Sequence, residues 1–335
     1  MKWMRALWLP AIFLPVILLA GFVGCGSERP PTPVEPPAQV PGDKDVAPDG
    51  PSPTDDQTPE AVDELVDWIQ QKGGRLRQDG EGRLILVDFS DTEITDAELQ
   101  RLVGQEFLRN VRLTRCAVGD DGVIHLVQLP RLLVLGLDLT EVTDEGMRHI
   151  ASARRLEELL LDGVAVTDAG VEAIASLPEL KQLRLAGTEI TDAGLEHLAA
   201  CTTLVNLNVS QTAITDAGLT HLAKLPQLKD LNLYTTQVTD AGLDVLHSMT
   251  GLTRLNLDNT QVTDAGLAKL AALEQLEFLH LGRTTITDAA IDHLSQLTTL
   301  RTLHVTRTGV TEAGAERLRQ ALPDCEIFSG DPDQT

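Results

Sequence analysis

An α/β solenoid built from ten copies of a 24-residue strand–turn–helix unit is the fold class this sequence predicts. Three observations predict it. A phrase seen as Ile190-Thr191-Asp192-Ala193-Gly194-Leu195 recurs with its Thr at 95, 143, 167, 191, 215, 239, 263, 287 and 311, and Gly119-Asp120 marks the missing member. A leucine opens every unit, at 84, 108, 132, 156, 180, 204, 228, 252, 276 and 300. Within each unit the apolar spacing changes from two to three, the change from strand to helix.

Two segments of different composition precede this array. Lys2 and Arg5 stand at the front of an apolar run from Ala6 to Val23, broken only by Pro10 and Pro15. That form is a targeting segment, residues 1–24. The sequence Val23-Gly24-Cys25 resembles the lipobox of bacterial lipoprotein signal peptides, with Phe22 where Leu is usual. The resemblance implies that Cys25 is lipidated and becomes the first residue of the mature chain. The run also fits plain secretion, or an uncleaved anchor, since 18 apolar residues just span a bilayer. Each reading puts the bulk of the chain in the cell envelope, facing outside the cytoplasm. Residues 25–59 then hold ten of the 17 prolines and no aromatic residue. Such a stretch cannot bury enough surface to offset its ordering entropy, so it reads as a disordered linker or stalk.

Residues 60–83 read as an N-terminal cap. Val62, Leu65, Val66 and Ile69 share one helical face, Gly73-Gly74 ends the helix, and Asp79-Gly80-Glu81-Gly82 signals a hairpin. Ten units then fill residues 84–323. In each, apolar residues three and five positions after the leucine give a strand with one buried face, as in Leu204-Val205-Asn206-Leu207-Asn208-Val209. A Thr-rich column follows at offset eight, then Ile or Val at offset ten. Apolar residues at offsets 15 and 18 have helical spacing. The recurring phrase reads as a helix start: Thr caps, Asp favours the helix dipole, and the flanking apolar pair forms a hydrophobic staple. A calcium ladder is the other reading of those carboxylates, but it needs several oxygens converging on each ion, whereas capping accounts for every column. The Gly column reads as close packing between units. Residues 324–335 read as a C-terminal cap and tail.

The unit's Leu-x-x-Leu-x-Leu opening resembles the leucine-rich repeat, in the 24-residue form of planctomycete-like bacteria. Thr replaces the usual Asn of that repeat's ladder in eight of ten units, with Cys116 and Val164 as exceptions. The resemblance implies a curved horseshoe with a parallel sheet on its concave face. Geometry asks for the same curvature, because strands about 4.8 Å apart must accommodate helices that need about 8–10 Å between axes.

Side chains at offsets two, four and six should point out of the concave face, and they vary while the scaffold columns do not. Asp230, Asn232, Tyr234, Arg254, Asn256, Asp258, Phe278, His280 and His304 form the candidate partner-binding group. Tyr234 is the only tyrosine, and Tyr and Arg anchor interfaces. His280 and His304 share an offset in adjacent units with Asp258 diagonal to them, a set that could also ligate a metal or move protons. An open face offers no dry pocket for that chemistry, so no metal, cofactor or catalytic residue is assigned. His125, His149, His197, His221 and His293 share offset 17 and read as solvated helix residues. Cys116, Cys201 and Cys325 are too scattered to pair and read as free thiols.

Acidic residues outnumber basic ones 50 to 27, a net charge of -23 that repels phosphate backbones and excludes nucleic acid as partner. The chain contains no His-Glu-x-x-His, Gly-x-Ser-x-Gly or P-loop. The expected function is a non-enzymatic, membrane-tethered scaffold, monomeric, that binds a protein through its concave face. The alternative is a structural or polysaccharide-binding role in the cell envelope.

Overall fold

The computed structural model describes residues 59–331. The targeting segment, Cys25, almost all of the proline-rich stretch and the last four residues lie outside the described residues. Among the described residues no helix is long and apolar enough to cross a membrane.

Helix α1, Pro59–Gln71, leads through Gly73 at φ 78° into β1, Arg75–Gln78. The next residue, Gly74, is held to glycine by contact: a Cβ there would lie 2.7 Å from the Phe89 ring. Phe89 is fully buried and meets Trp68 edge to face, with ring centroids 5.6 Å apart, which seats the helix on the first repeat. Strand β1 pairs antiparallel with β2, Leu84–Asp88. All later strands are parallel and follow sequence order. They are β3 Asn110–Arg112, β4 Val134–Gly136, β5 Glu158–Leu160, β6 Gln182–Arg184 and β7 Asn206–Asn208. The series continues with β8 Asp230–Asn232, β9 Arg254–Asn256, β10 Phe278–His280, β11 Thr302–His304 and β12 Glu326–Phe328. The sheet thus has 12 strands, because the cap adds β1 and the C-terminal half-unit adds β12. Register is strict: Arg254 faces Phe278 and Phe278 faces Thr302, so each offset forms a straight row across the sheet.

The opening leucines and the middle residue of each strand from β3 to β11, with Val87 in β2, are buried, which supplies most of the driving force. After each strand the chain turns at offset seven in the left-handed region. Glycine takes that position only at Gly163 and Gly187, whereas Asp91, Arg115, Leu139, Gln211, Thr235, Asn259, Arg283 and Arg307 adopt it with φ between 53° and 63°. Several of these side chains link adjacent repeats along the rim: Arg115 with Asp91, Asn259 with Thr235, and Arg307 with Asp331. At offset eight the hydroxyl of Thr236 donates to the Leu233 carbonyl at 2.7 Å, as do its equivalents. From Thr140 onward the Thr column therefore closes a loop within its own repeat, while Thr92 in the first repeat meets Cys116 of the second. Cys116 differs, its thiol donating to Phe89 O of the preceding unit at 3.1 Å. Cys116, Cys201 and Cys325 are free, and burial pushes the Cys201 thiol up to about 11.

The helix starts carry more than the sequence reading assigned them. Thr191 caps its helix by accepting the Ala193 N–H, as expected. Asp168 reaches across to that same Thr191 from the repeat before, accepting its N–H at 2.8 Å and its hydroxyl at 2.6 Å. The same two bonds recur at every junction from Asp120–Thr143 to Asp288–Thr311. The glycine column is the imprint of this carboxylate, since a Cβ on Gly194 would lie 2.6 Å from Asp168 Oδ1. The column has two exceptions. Glu98, in the first unit, has no earlier repeat to meet, and it caps its own Thr95. Ala290 is accommodated with the Asp264–Thr287 link intact, in a helix that starts as a 3-10 turn, Asp288–Ala290.

A double-mutant cycle in urea denaturation tests this link. Asp168→Ala should cost about 1–3 kcal/mol through the lost acceptors, and Gly194→Ala a similar amount through overpacking. Combined, the two should cost less than their sum, because removing the carboxylate clears the space for Cβ. Strict additivity would show that the glycine is not there for the carboxylate.

Candidate functional site

The sheet's open side carries the candidate group. At offsets two and four the side chains are half-buried, and the residue between them is buried, from β7 to β11. Alternation fails at offset six, because the chain has already left the strand there. Tyr234 remains on the face, but Asp258 is only 5% exposed, which corrects its expected outward placement. Arg283 holds it, Nε donating to Oδ1 at 2.9 Å and Nη2 to Oδ2.

Arg254 lies over the Phe278 ring, 4.3 Å from its centroid, while its Nε donates to Asp230 at 3.0 Å. Arg283 lies 5.0 Å over Tyr234. His280 and His304 stack at 4.5 Å between centroids, and His304 stacks on Phe328 at 4.4 Å with planes 6° apart. Phe278 flanks His304 at 5.6 Å. Asn232 and Asn256 bond back to their own strands, accepting from Tyr234 N and Asp258 N. The structure thus brings Arg254, Phe278, His280 and His304 together, with Asp230, Tyr234 and the two asparagines beside them. Sequence reasoning missed Arg283 and Phe328. Phe328 was findable, since it occupies offset four of the last half-unit, whereas no alternation rule reaches Arg283 at offset seven.

Both imidazoles are held neutral. Burial lowers the His280 pKa, against the pull of Asp258 and with help from Arg283. Burial first, and then the neighbouring His280, push His304 down to about 4. The Asp258 hydrogen bond raises Arg283 above its already high value. Stacked rings project their nitrogen lone pairs side by side rather than towards one point. Among the described residues no His, Cys, Asp and Glu group is placed to hold a metal ion. The ring group is open surface, and a cavity of about 350 Å³ lies elsewhere, lined by residues such as Glu274, Glu277, Thr299 and Arg301. The offset-17 histidines are half-buried rather than solvated, and His221 Nδ1 is buried without a partner.

Stability should report the His304 shift. Between pH about 4 and about 6.5 the folded chain binds fewer protons at this ring than the unfolded chain does. Its contribution is therefore complete above that window and is lost as pH falls through it. His304→Phe keeps a ring in the stack and cannot titrate, so its melting temperature should fall less than that of the wild type between pH 7 and pH 4. Equal falls would mean that the ring titrates normally.

Comparison with known proteins agrees with this architecture. The family model described as Leucine Rich repeat matches residues 177–199, 200–223 and 249–271. No curated protein matches the chain at a significant level. Among solved structures, an internalin from Listeria monocytogenes is similar over 82% of this chain and 89% of its own, at 17% identity and a TM-score of 0.55. The leucine-rich repeat ectodomain of the Arabidopsis receptor kinase HAESA, solved with a peptide hormone ligand, is similar over 75% of this chain and 46% of its own, at 14% identity and a TM-score of 0.54. At such identities the likeness is one of fold. The repeat period, the open parallel sheet and these matches together make the described chain a leucine-rich repeat solenoid.

Proposed function

We propose that the chain is a non-enzymatic recognition scaffold, tethered to a membrane through Cys25 and working outside the cytoplasm, that binds a protein through the concave face of repeats seven to ten. One observation carries this reading. Arg254, Phe278, His280, His304 and Phe328 form a continuous group of rings and cation on the open face of a rigid sheet. Rings and guanidinium groups set on a stiff frame are what protein interfaces use as anchors, because little side-chain entropy remains to be lost on binding. The HAESA ectodomain, of like fold, was solved with a peptide ligand, which supports a polypeptide as the partner's class.

The test recovers a partner with the full chain from separate protein and glycan fractions. Tyr234→Ala and Phe278→Ala should each weaken binding by about 1–3 kcal/mol and leave stability nearly unchanged. Leu231→Ala and Leu279→Ala, fully buried beside them, should instead cost about 2–5 kcal/mol of stability. His221→Ala on the helix side should leave binding intact. If it alone weakened binding, the contact would lie on the helices. A partner found only in the glycan fraction would favour the polysaccharide-binding role.

The tether has its own readout. Metabolic labelling with a clickable fatty acid should mark the wild type and not Cys25→Ala, and an inhibitor of the lipoprotein signal peptidase should block processing. Unlabelled wild type that remains membrane-bound would point to an uncleaved anchor.

A further inference from the structure

Four neighbouring side chains on the open face have their acceptors already in use. Asn208, Asn232 and Asn256 stand at offset four in successive repeats, and His280 continues their row. Each turns an acceptor back onto its own chain. The three Oδ1 atoms accept from Ser210 N at 3.1 Å, Tyr234 N at 3.0 Å and Asp258 N at 2.9 Å, and His280 Nδ1 accepts from Gly282 N at 3.3 Å. A backbone N–H must be met by oxygen or by unprotonated nitrogen. Three amide NH2 groups and the His280 Nε2–H are therefore left on the other side of each side chain. No hydrogen bond occupies these donors among the described residues, and none of them is buried. The carboxylates beside the row are engaged, Asp230 by Arg254 and Asp258 by Arg283. The floor from β7 to β10 is thus a line of donors about 4.8 Å apart.

This line selects among ligands. A chain that laid its own N–H groups on the donors would lose solvent and gain no acceptor. An anionic polymer would bring acceptors, but the net charge of -23 repels it. A proline-rich polypeptide brings carbonyls and, at each proline, no N–H. In polyproline II form its carbonyls are free of internal hydrogen bonds, and its turn of about 9.3 Å matches two strand steps of about 9.6 Å. Tyr234 at offset six and Phe278 at offset two flank the row on its two sides, giving the aromatic walls that prolyl rings use.

We propose that this row receives a neutral, proline-rich segment of another protein, lying across β7 to β10 in polyproline II form with its carbonyls on alternate donors of the row. The proposal rests on the reading of the concave face as a protein-binding surface.

The probe is a fluorescently labelled, terminally blocked decaproline titrated into the full chain. Asn→Asp is near-isosteric and keeps the oxygen that holds the strand, as Asp88 does for Ser90 N at 2.9 Å in the first repeat. It exchanges the outward donor for an acceptor and adds one negative charge. Asn232→Asp with Asn256→Asp should weaken decaproline binding at least about tenfold, at an unchanged melting temperature. Gln211→Glu with Gln237→Glu adds the same charge at exposed positions, and should change binding less than about twofold. Equal losses in the two pairs would make the effect one of charge and overturn the donor role. Failure of decaproline to bind overturns the proposal. If a blocked, proline-free peptide of equal length then binds, and Tyr234→Ala abolishes that binding, the face still recognises protein. If neither peptide binds and a neutral oligoglucan does, the protein-binding reading falls as well. A peptide copying residues 26–58 that bound more tightly than decaproline would assign the face to the chain's own leader and overturn the choice of a separate protein.

Discussion

Each repeat is fastened to the next by a carboxylate, and most of the sequence's regularity follows from that bond. Hydrophobic burial is strong but non-directional, and a stack of leucines could slide. The Asp at the head of one helix accepts both the N–H and the hydroxyl of the next Thr, which admits one position only. Glycine then stands where that carboxylate passes at every such junction but one, where Ala290 takes its place. The first and last repeats of the array show the same rule. Glu98 turns inward on its own Thr95, where no earlier repeat exists. Glu312 replaces Asp where no later repeat follows, and it pairs with Arg319 instead.

A frame fixed on the helix side leaves the sheet's open side free to vary. The leucines at the middle of the strands are fully or almost fully buried, while the residues on either side of them differ from unit to unit. Strict register turns that freedom into rows, so that side chains 24 residues apart stand as neighbours. Rings in one row stack, and amides in the same row align. The chemistry of the face is therefore written across the repeats and not along any one of them.

The solenoid was legible in the sequence because two periods, one of 24 residues and one within the unit, both repeat ten times. The outward positions at offsets two and four were legible for the same reason. What stayed hidden has a common cause. A column that recurs in every unit looks the same whether its residue acts within its own repeat or on the next one. The Asp column read as a helix-dipole contact and proved to be a link between repeats as well, while the Thr column at offset eight read as a ladder and, from Thr140 onward, closes its own loop. Asp258 and Arg283 were misread or missed because strand alternation ends before offset six. The half-burial of the offset-17 histidines depends on how closely neighbouring helices approach, which spacing alone does not contain.

The rim turn at offset seven has a mechanical consequence. Side chains there tie the first repeat to the second, the seventh to the eighth, and the tenth to the segment after β12. In the fourth and fifth repeats the same position is Gly163 and Gly187, and the neighbouring Leu139 is an apolar side chain 51% exposed. With no side chain at offset seven, the tie along this part of the rim shifts to offset six, where Asp162 accepts from Ala186 N and pairs with Arg184. Removing the Asp162 carboxylate should therefore loosen the middle of this rim, where a single side chain does what separate turn residues do at the two ends.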